Sequence, residues 1–213
     1  MFRRIVEDHQ DESFSSIENA REYAESAEKS SSMRFRGFLN RLKNLDIRGK
    51  YLEIGAGSGL LAAMIAGNHK DVNITAAEIS PDMITVANEN IKKKGLDSRI
   101  QFVVANIEDE SVLRSLGKYD LIYSTFSLHH WENPKQMIGN SMKLLNDRGV
   151  LMIYDLRRVW WLYWIPRQTG FLKSIRASYK AHEIREALRE VGVGKFEITS
   201  IFPFFMQIIT IWK

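Results

Sequence analysis

The sequence predicts an open α/β sheet with helices on both faces, and three observations carry that expectation. From Lys50 to Tyr154 short, nearly continuous apolar runs alternate with helical patterns. Strands covered on both faces read in this way, whereas a strand with one wet face alternates apolar and polar residues. A glycine-rich stretch, Gly55-Ala56-Gly57-Ser58-Gly59, follows the first run, and an acid, Glu78, closes the second. Ligands of such sheets bind outside the carboxyl ends of the strands.

Residues 1–49 are Ser-rich and charged, and predict two helices, about 17–29 and 33–45. The strand runs are Tyr51–Ile54, Val72–Ala77, Ile100–Val104, Leu121–Tyr123 and Val150–Tyr154. Ser80-Pro81-Asp82 supplies an N-cap, a first-turn proline and an acid at the positive end of the helix dipole, and Lys92-Lys93-Lys94-Gly95 closes that helix, predicted over 81–94. Pro134 opens another, with Ile138, Met142 and Leu145 on one face and Asn146–Gly149 stopping it. After Tyr154 the alternation lapses until Ile184, Ala187, Leu188 and Val191 mark a helix ended by Gly192. Phe196–Phe202 and Phe205–Trp212 read as strands separated at Pro203, which cannot donate to a ladder. So short a connection predicts an antiparallel hairpin.

The chain has 213 residues, 45% of them apolar, enough for one domain with a substantial core. It has no cysteine, which removes disulfide scaffolds, thiolate zinc sites and cysteine nucleophiles. The longest apolar run, Val159–Ile165, is far shorter than the roughly 20 residues that span a bilayer, and the N-terminus turns acidic before a signal peptide's apolar stretch can form. The expectation is a cytoplasmic protein with no metal site. The net charge of +4 is unevenly spread: residues 155–180 carry +5 and the remainder sums to −1.

Glycines after a first strand let the backbone turn tightly and approach a ligand that a β-carbon would hold away. A dinucleotide fingerprint needs its third glycine at the position of Leu60, and no Gly-Lys-Ser/Thr ending marks a phosphate loop. Glu78 lies 19 residues beyond Gly59, where a carboxylate can accept both hydroxyls of a ribose.

At these residues the sequence resembles the class I S-adenosylmethionine-dependent methyltransferases, over about 48–155 and more weakly to the C-terminus. The resemblance implies a Rossmann-like, doubly wound sheet of seven strands in the order 3-2-1-4-5-7-6, with the seventh antiparallel. It implies that Tyr51–Gly59 holds the methionine part of the cofactor, with Glu53 facing its ammonium through water and Gly55, Ala56 and Gly57 packing against it. Glu78 matches the ribose-binding acid and Ile79 the apolar residue on the adenine. In Val103–Glu108 the usual adenine-binding Asp is replaced by Asn106, which accepts the same hydrogen bond without charge assistance. Gly59, Ile107 and Ser124 complete the implied cofactor contacts. The Tyr119–His130 and Leu144–Gly149 segments match in turn, the latter before the fifth strand.

For chemistry, His129 and His130 follow the fourth strand and are candidate bases, against a structural role in which one ring satisfies a backbone carbonyl. Asp155, at the end of the fifth strand, either orients an acceptor or pairs with Arg157 or Arg158. Tyr23 is a candidate for closing over the cofactor, in an N-terminal lid formed by residues 1–49. The segment Ser124-Thr125-Phe126 replaces the Asp/Asn-Pro-Pro-Tyr/Phe motif of adenine and glutamine amino-methylation, and the missing cysteines exclude cytosine C5 and arsenic methylation. What remains resembles the small-molecule branch, including quinone-biosynthesis C-methyltransferases, and implies an apolar or aromatic acceptor. The alternatives are a cofactor-binding regulatory module without transfer, or a methyltransferase acting on RNA or protein.

Residues 155–180 lie where this family commonly builds a substrate cap. Their Arg157–Arg167 stretch, with Trp160, Trp161, Tyr163 and Trp164 between arginines, is compatible with a membrane interface, with the roof of an aromatic pocket, or with core packing beside solvated arginines. Single-stranded nucleic acid is the less favoured partner of this stretch.

Overall fold

The computed structural model describes residues 4–5, 16–165, 169–202 and 204–213. Helix α1 (Ile17–Leu45) precedes strands β1 (Gly49–Ile54), β2 (Val72–Glu78), β3 (Ile100–Val104), β4 (Tyr119–Thr125) and β5 (Leu145–Leu156). Helices α2 (Leu60–Asn68), α3 (Pro81–Lys93), α4 (Glu110–Ser115) and α5 (Pro134–Leu144) form the crossovers. After β5 come a 3-10 stretch, Trp160–Trp164, then α6 (Gly170–Ala177), α7 (Ala181–Glu190), β6 (Lys195–Ile201) and β7 (Met206–Trp212). The sheet runs β3-β2-β1-β4-β5-β7-β6, with β7 antiparallel to both neighbours, as the resemblance implies. The expected terminal hairpin is present, and Pro203 itself lies outside the described residues.

The continuous apolar runs are explained by two cores, one on each face of the sheet. Successive strand residues point to opposite faces, so Tyr51, Leu121 and Met152 join one core while Leu52, Ile122 and Ile153 join the other. The first core is closed by Phe35, Phe38 and Leu42 of α1, the apolar helix α2 and part of α6, the second by α5 and α7. Helix α3 forms as its caps specify: the Ser80 hydroxyl accepts from Met83 N at 3.2 Å, Pro81 opens it, and Gly95 leaves it at φ +65°.

Three elements depart from expectation. The two N-terminal helices are one, α1, of 29 residues. Its Ser-rich middle stays helical because both flanking halves are held by burial, and there the Ser30 and Ser31 hydroxyls donate back to Ala27 O and Glu28 O. Strand β5 begins directly after α5 and runs for 12 residues through Asn146–Gly149, with a register shift against β4 between Tyr119 and Leu121. The lapse after Tyr154 contains the 3-10 stretch and α6, both too short for a periodic signal.

Candidate functional site

At the end of β1 the chain turns through Gly55, Gly57 and Gly59, all with φ between +53° and +73°. Non-glycine residues pay roughly 1–2 kcal/mol for that region. A β-carbon on Gly55 would stand 2.5 Å from Ser127 Oγ, and one on Gly59 2.7 Å from Phe102 Cζ, so these glycines serve packing inside the protein. Gly57 is different, since a β-carbon there meets nothing within 4 Å. The loop is tied to β2 by Gly55 N and Ala56 N, which both donate to Ala77 O at 2.9 and 3.1 Å.

Glu78 organises the same turn. Its Oε2 accepts from Gly57 N at 2.8 Å, and its Oε1 from Ile79 N at 2.9 Å and Ser80 N at 3.0 Å. An ionised carboxylate has about four acceptor positions, so three backbone bonds fix Glu78 and leave it able to accept from a hydroxyl.

These residues line a cavity of about 1070 Å³ at the carboxyl ends of β1, β2 and β4. Glu53, Gly55–Gly57 and Glu78–Ile79 form one wall, with Ile79 exposed, and Asn106 and Ile107 another. The Asn106 Oδ1 accepts from Glu108 N at 2.9 Å, which holds the amide in place. The third wall is apolar and aromatic: Tyr23 and Phe35 of α1, then Phe126, Trp131 and Met137. Phe126 sits at φ +56°, a strained state for an aromatic residue, and is held there on several sides. Its N–H donates to Tyr154 O at 2.9 Å, its ring meets Tyr154 and Phe35 edge-on, and the Arg34 guanidinium lies 4.1 Å from its centroid.

Glu53 is 2% exposed, and its Oε2 accepts from the Tyr123 hydroxyl at 3.1 Å. Burial pushes its carboxyl up to about 8; the Tyr123 bond opposes the shift and the nearby Glu78 charge adds to it. Tyr123 is raised well above the usual phenol range, first by burial and then by the Glu53 charge. A cation at this end of the cavity would favour the ionised form of Glu53.

The candidate catalytic residues divide. His130 lines the cavity. His129 and Asp155 are buried behind it: His129 Nδ1 lies 2.7 Å from Asp155 Oδ1, and Asp155 also accepts from His129 N at 2.8 Å and Leu156 N at 2.7 Å. The two imidazoles touch, with centroids 3.8 Å apart. Asp155 therefore pairs with His129 and not with either arginine. Arg157 bonds the Ser200 hydroxyl, and Arg158 is buried against Glu183 and Ser178 O. Ser124 lies in the core, its Oγ donating to Ile54 O at 2.9 Å, so this implied cofactor contact is outside the cavity lining. Gly59 is likewise internal, facing Phe102. None of the described residues of 155–180 lines the cavity.

Arg34, Phe35, Ser127 and Trp131 are wall residues that the motifs do not contain. Phe35 was findable, since Phe35, Phe38 and Leu42 share a helical face. Arg4 also went unseen: its guanidinium donates to His129 O at 2.9 Å and covers the Tyr179 ring, pinning the histidine segment from 125 residues away.

With this geometry in place, the comparisons with known proteins bear on residues 52–151, which match the family described as "Methyltransferase domain". Over these residues the chain is similar to that family. The chain is 33% identical over 129 residues, 58% of its length, to a non-reducing polyketide synthase from Aspergillus novofumigatus. It is 30% identical over 103 residues, 48% of its length, to a malonyl-[acyl-carrier protein] O-methyltransferase from Paenibacillus sp.. It spans 6% and 37% of the length of these two relatives. Among solved structures the plantazolicin methyltransferase BamL, in complex with a substrate analogue and SAH, superposes with a TM-score of 0.72 at 18% identity, covering 92% of this chain and 91% of that one. At that identity the likeness establishes the methyltransferase fold alone.

Proposed function

We propose that this chain moves the methyl group of S-adenosylmethionine to a small apolar or aromatic acceptor, with α1 as the lid of the site. The observation that carries the reading is the cavity itself, with two acidic groups and an open glycine backbone on one side and an aromatic wall on the other. The residues fit the cofactor. Gly57 offers backbone where a β-carbon would intrude, Glu53 offers a buried carboxyl that a bound ammonium would ionise, and Glu78 offers acceptor capacity beside exposed Ile79. About 1070 Å³ is at the top of the roughly 300–1,000 Å³ range of small-molecule sites, room for cofactor and acceptor together.

When bound, S-adenosylmethionine supplies a methyl on a positively charged sulfur, already a good electrophile. The protein's task is then mainly orientation, which can lower the barrier by roughly 7–11 kcal/mol. Glu53, Glu78, Asn106 and Gly57 would hold the cofactor, and Phe35, Phe126, Trp131 and Met137 would pack the acceptor against it. His130, which lines the cavity, would take a proton from the acceptor, with its ring held against His129, which Asp155 fixes behind it. Relatives named as a non-reducing polyketide synthase, a malonyl-[acyl-carrier protein] O-methyltransferase and a plantazolicin methyltransferase support an organic acceptor of modest size.

Calorimetry with S-adenosylhomocysteine tests cofactor binding: micromolar affinity is expected, with none for NAD. Incubation with methyl-labelled cofactor and a metabolite and lipid extract, followed by mass spectrometry, tests transfer. A protein that binds the cofactor and labels nothing in such extracts is a binding module and not an enzyme.

A further inference from the structure

Twelve large apolar side chains are exposed among the described residues, and seven of them fall in 160–171 or in the turn between β6 and β7. Trp160, Trp164, Phe202 and Phe204 are 62%, 74%, 80% and 58% exposed, with Trp161 and Phe171 beside them in the same segments. Some 30 residues of chain separate these segments, yet the fold sets them side by side. Phe171 meets Phe205 with ring centroids 5.5 Å apart, Arg157 N donates to Phe205 O at 2.7 Å, and the Arg157 side chain bonds Ser200. Exposed aromatics gathered from two segments are a surface awaiting a partner, since scattered singles would need no explanation.

The charge around them names the partner's sign. Between Asp155 and Ala181 the sequence has no acid, and none follows Glu197. Asp155 itself is fully buried. Arg157, Lys173 and Arg176 lie in or beside these segments, and Arg176 is fastened in place by Ile165 O and the Tyr163 ring. A second copy of this chain would bring like charges together at such a face.

We propose that this face is a docking surface for an anionic lipid bilayer, with the indoles and phenyls entering the headgroup boundary and the cations meeting lipid phosphates. Aromatic residues favour that boundary, and juxtaposed cations add attraction to anionic lipid. No helix among the described residues is long and apolar enough to cross a membrane, so contact is from one side. The turn after β6 sits at the carboxyl end of β5, where Leu156 pairs with Met206. The cavity opens at that same end of the sheet, so docking would bring a lipid-soluble acceptor close to it.

The test is co-sedimentation and tryptophan emission of the full chain with phosphatidylcholine vesicles, with and without about one third phosphatidylglycerol. Three of the five tryptophans belong to this face, so a blue shift with anionic vesicles is expected, and weak or no shift with neutral ones. Replacing Trp160, Trp164, Phe202 and Phe204 with Ser should weaken vesicle binding by about tenfold or more at unchanged melting temperature. A milder pair, Lys173→Glu with Phe202→Glu, should do the same. Equal binding to neutral vesicles, unmoved emission, or full binding by the folded variants would overturn the proposal. So would a concentration-dependent dimer that the four-serine variant abolishes, which would assign the face to a second copy. A protein blind to vesicles that still binds S-adenosylhomocysteine overturns this surface and leaves methyl transfer standing.

Discussion

The carboxyl end of the sheet is built in two ways. Over β1, β2 and β4 it is concave, and nearly every polar atom that shapes it is committed: three N–H groups to Glu78, two to Ala77 O, a hydroxyl to Glu53. Over β5, β7 and β6 it shows aromatic rings to solvent. The first half demands particular residues because the backbone is forced into positive φ and carboxylates are buried. The second demands only a composition, aromatics with cations and no acids. A substitution should therefore be costly at the buried, fully engaged groups, among them Asp155 at the end of β5, and quiet at the exposed rings.

The largest effect is expected at Asp155. Asp155→Asn removes an acceptor from a group that serves His129 N, His129 Nδ1 and Leu156 N in a fully buried place, at a cost of about 3 kcal/mol by urea denaturation. A loss near zero would mean that the pair does not position the histidine segment. Next comes Glu78→Ala, which should weaken S-adenosylhomocysteine binding roughly 100-fold in calorimetry, because the same carboxylate orders the loop and, in the proposed reading, would meet the ribose. Unchanged affinity would refute the ribose assignment.

The pH dependence is smaller. Burial pushes the Glu53 carboxyl up to about 8 from its ordinary 4.5, so the unliganded protein is expected to keep a proton there at neutral pH. The resulting cost in stability is absent below 4.5, grows as the pH rises from 4.5 to 8 and is constant above that. A ligand ammonium needs the ionised form, so binding should release the proton and strengthen by about fivefold from pH 7 to 8, then level off. Glu53→Gln should flatten the profile, and a profile unchanged by that variant would place the titration elsewhere. Smallest of all, Trp164→Ser should alter stability by about 0.5 kcal/mol or less and leave cofactor affinity within about twofold. A large loss there would make the aromatic face part of the core.

What the sequence made legible follows the same division. The glycine loop and Glu78 could be read because forced backbone and a required carboxylate each restrict the residue types that serve. Strand order followed from motif order, and helix α3 from its caps. Phe126 could not be read, since its left-handed backbone is imposed by Tyr154, Phe35 and Arg34, not by its own preference. Arg158 reads as a surface cation until Glu183 arrives from α7 to bury it. The Asp155 to His129 bond joins residues 26 apart, and local pattern says nothing of pairs brought together only by β4 and β5.

Helix α1 was expected as two helices and is one, but its halves are anchored unequally. Beyond residue 33 it buries Phe35, Phe38 and Leu42 in the main core, and Arg41 reaches Glu197 and Thr210 on the hairpin. Before residue 30 it rests on a small cluster of Ala20, Ala24, Met83 and Val86, with the exposed pairs Arg21–Glu89 and Lys94–Glu28, each worth roughly 0–1 kcal/mol and weakened by salt. The weaker half carries Asn19, Tyr23 and Ala27, part of the cavity's enclosure. Fraying of that half at the serine step would admit a ligand without disturbing the sheet, and amide exchange should be faster over 17–30 than over 35–45. The serines that read as an interruption thus mark where the enclosure yields.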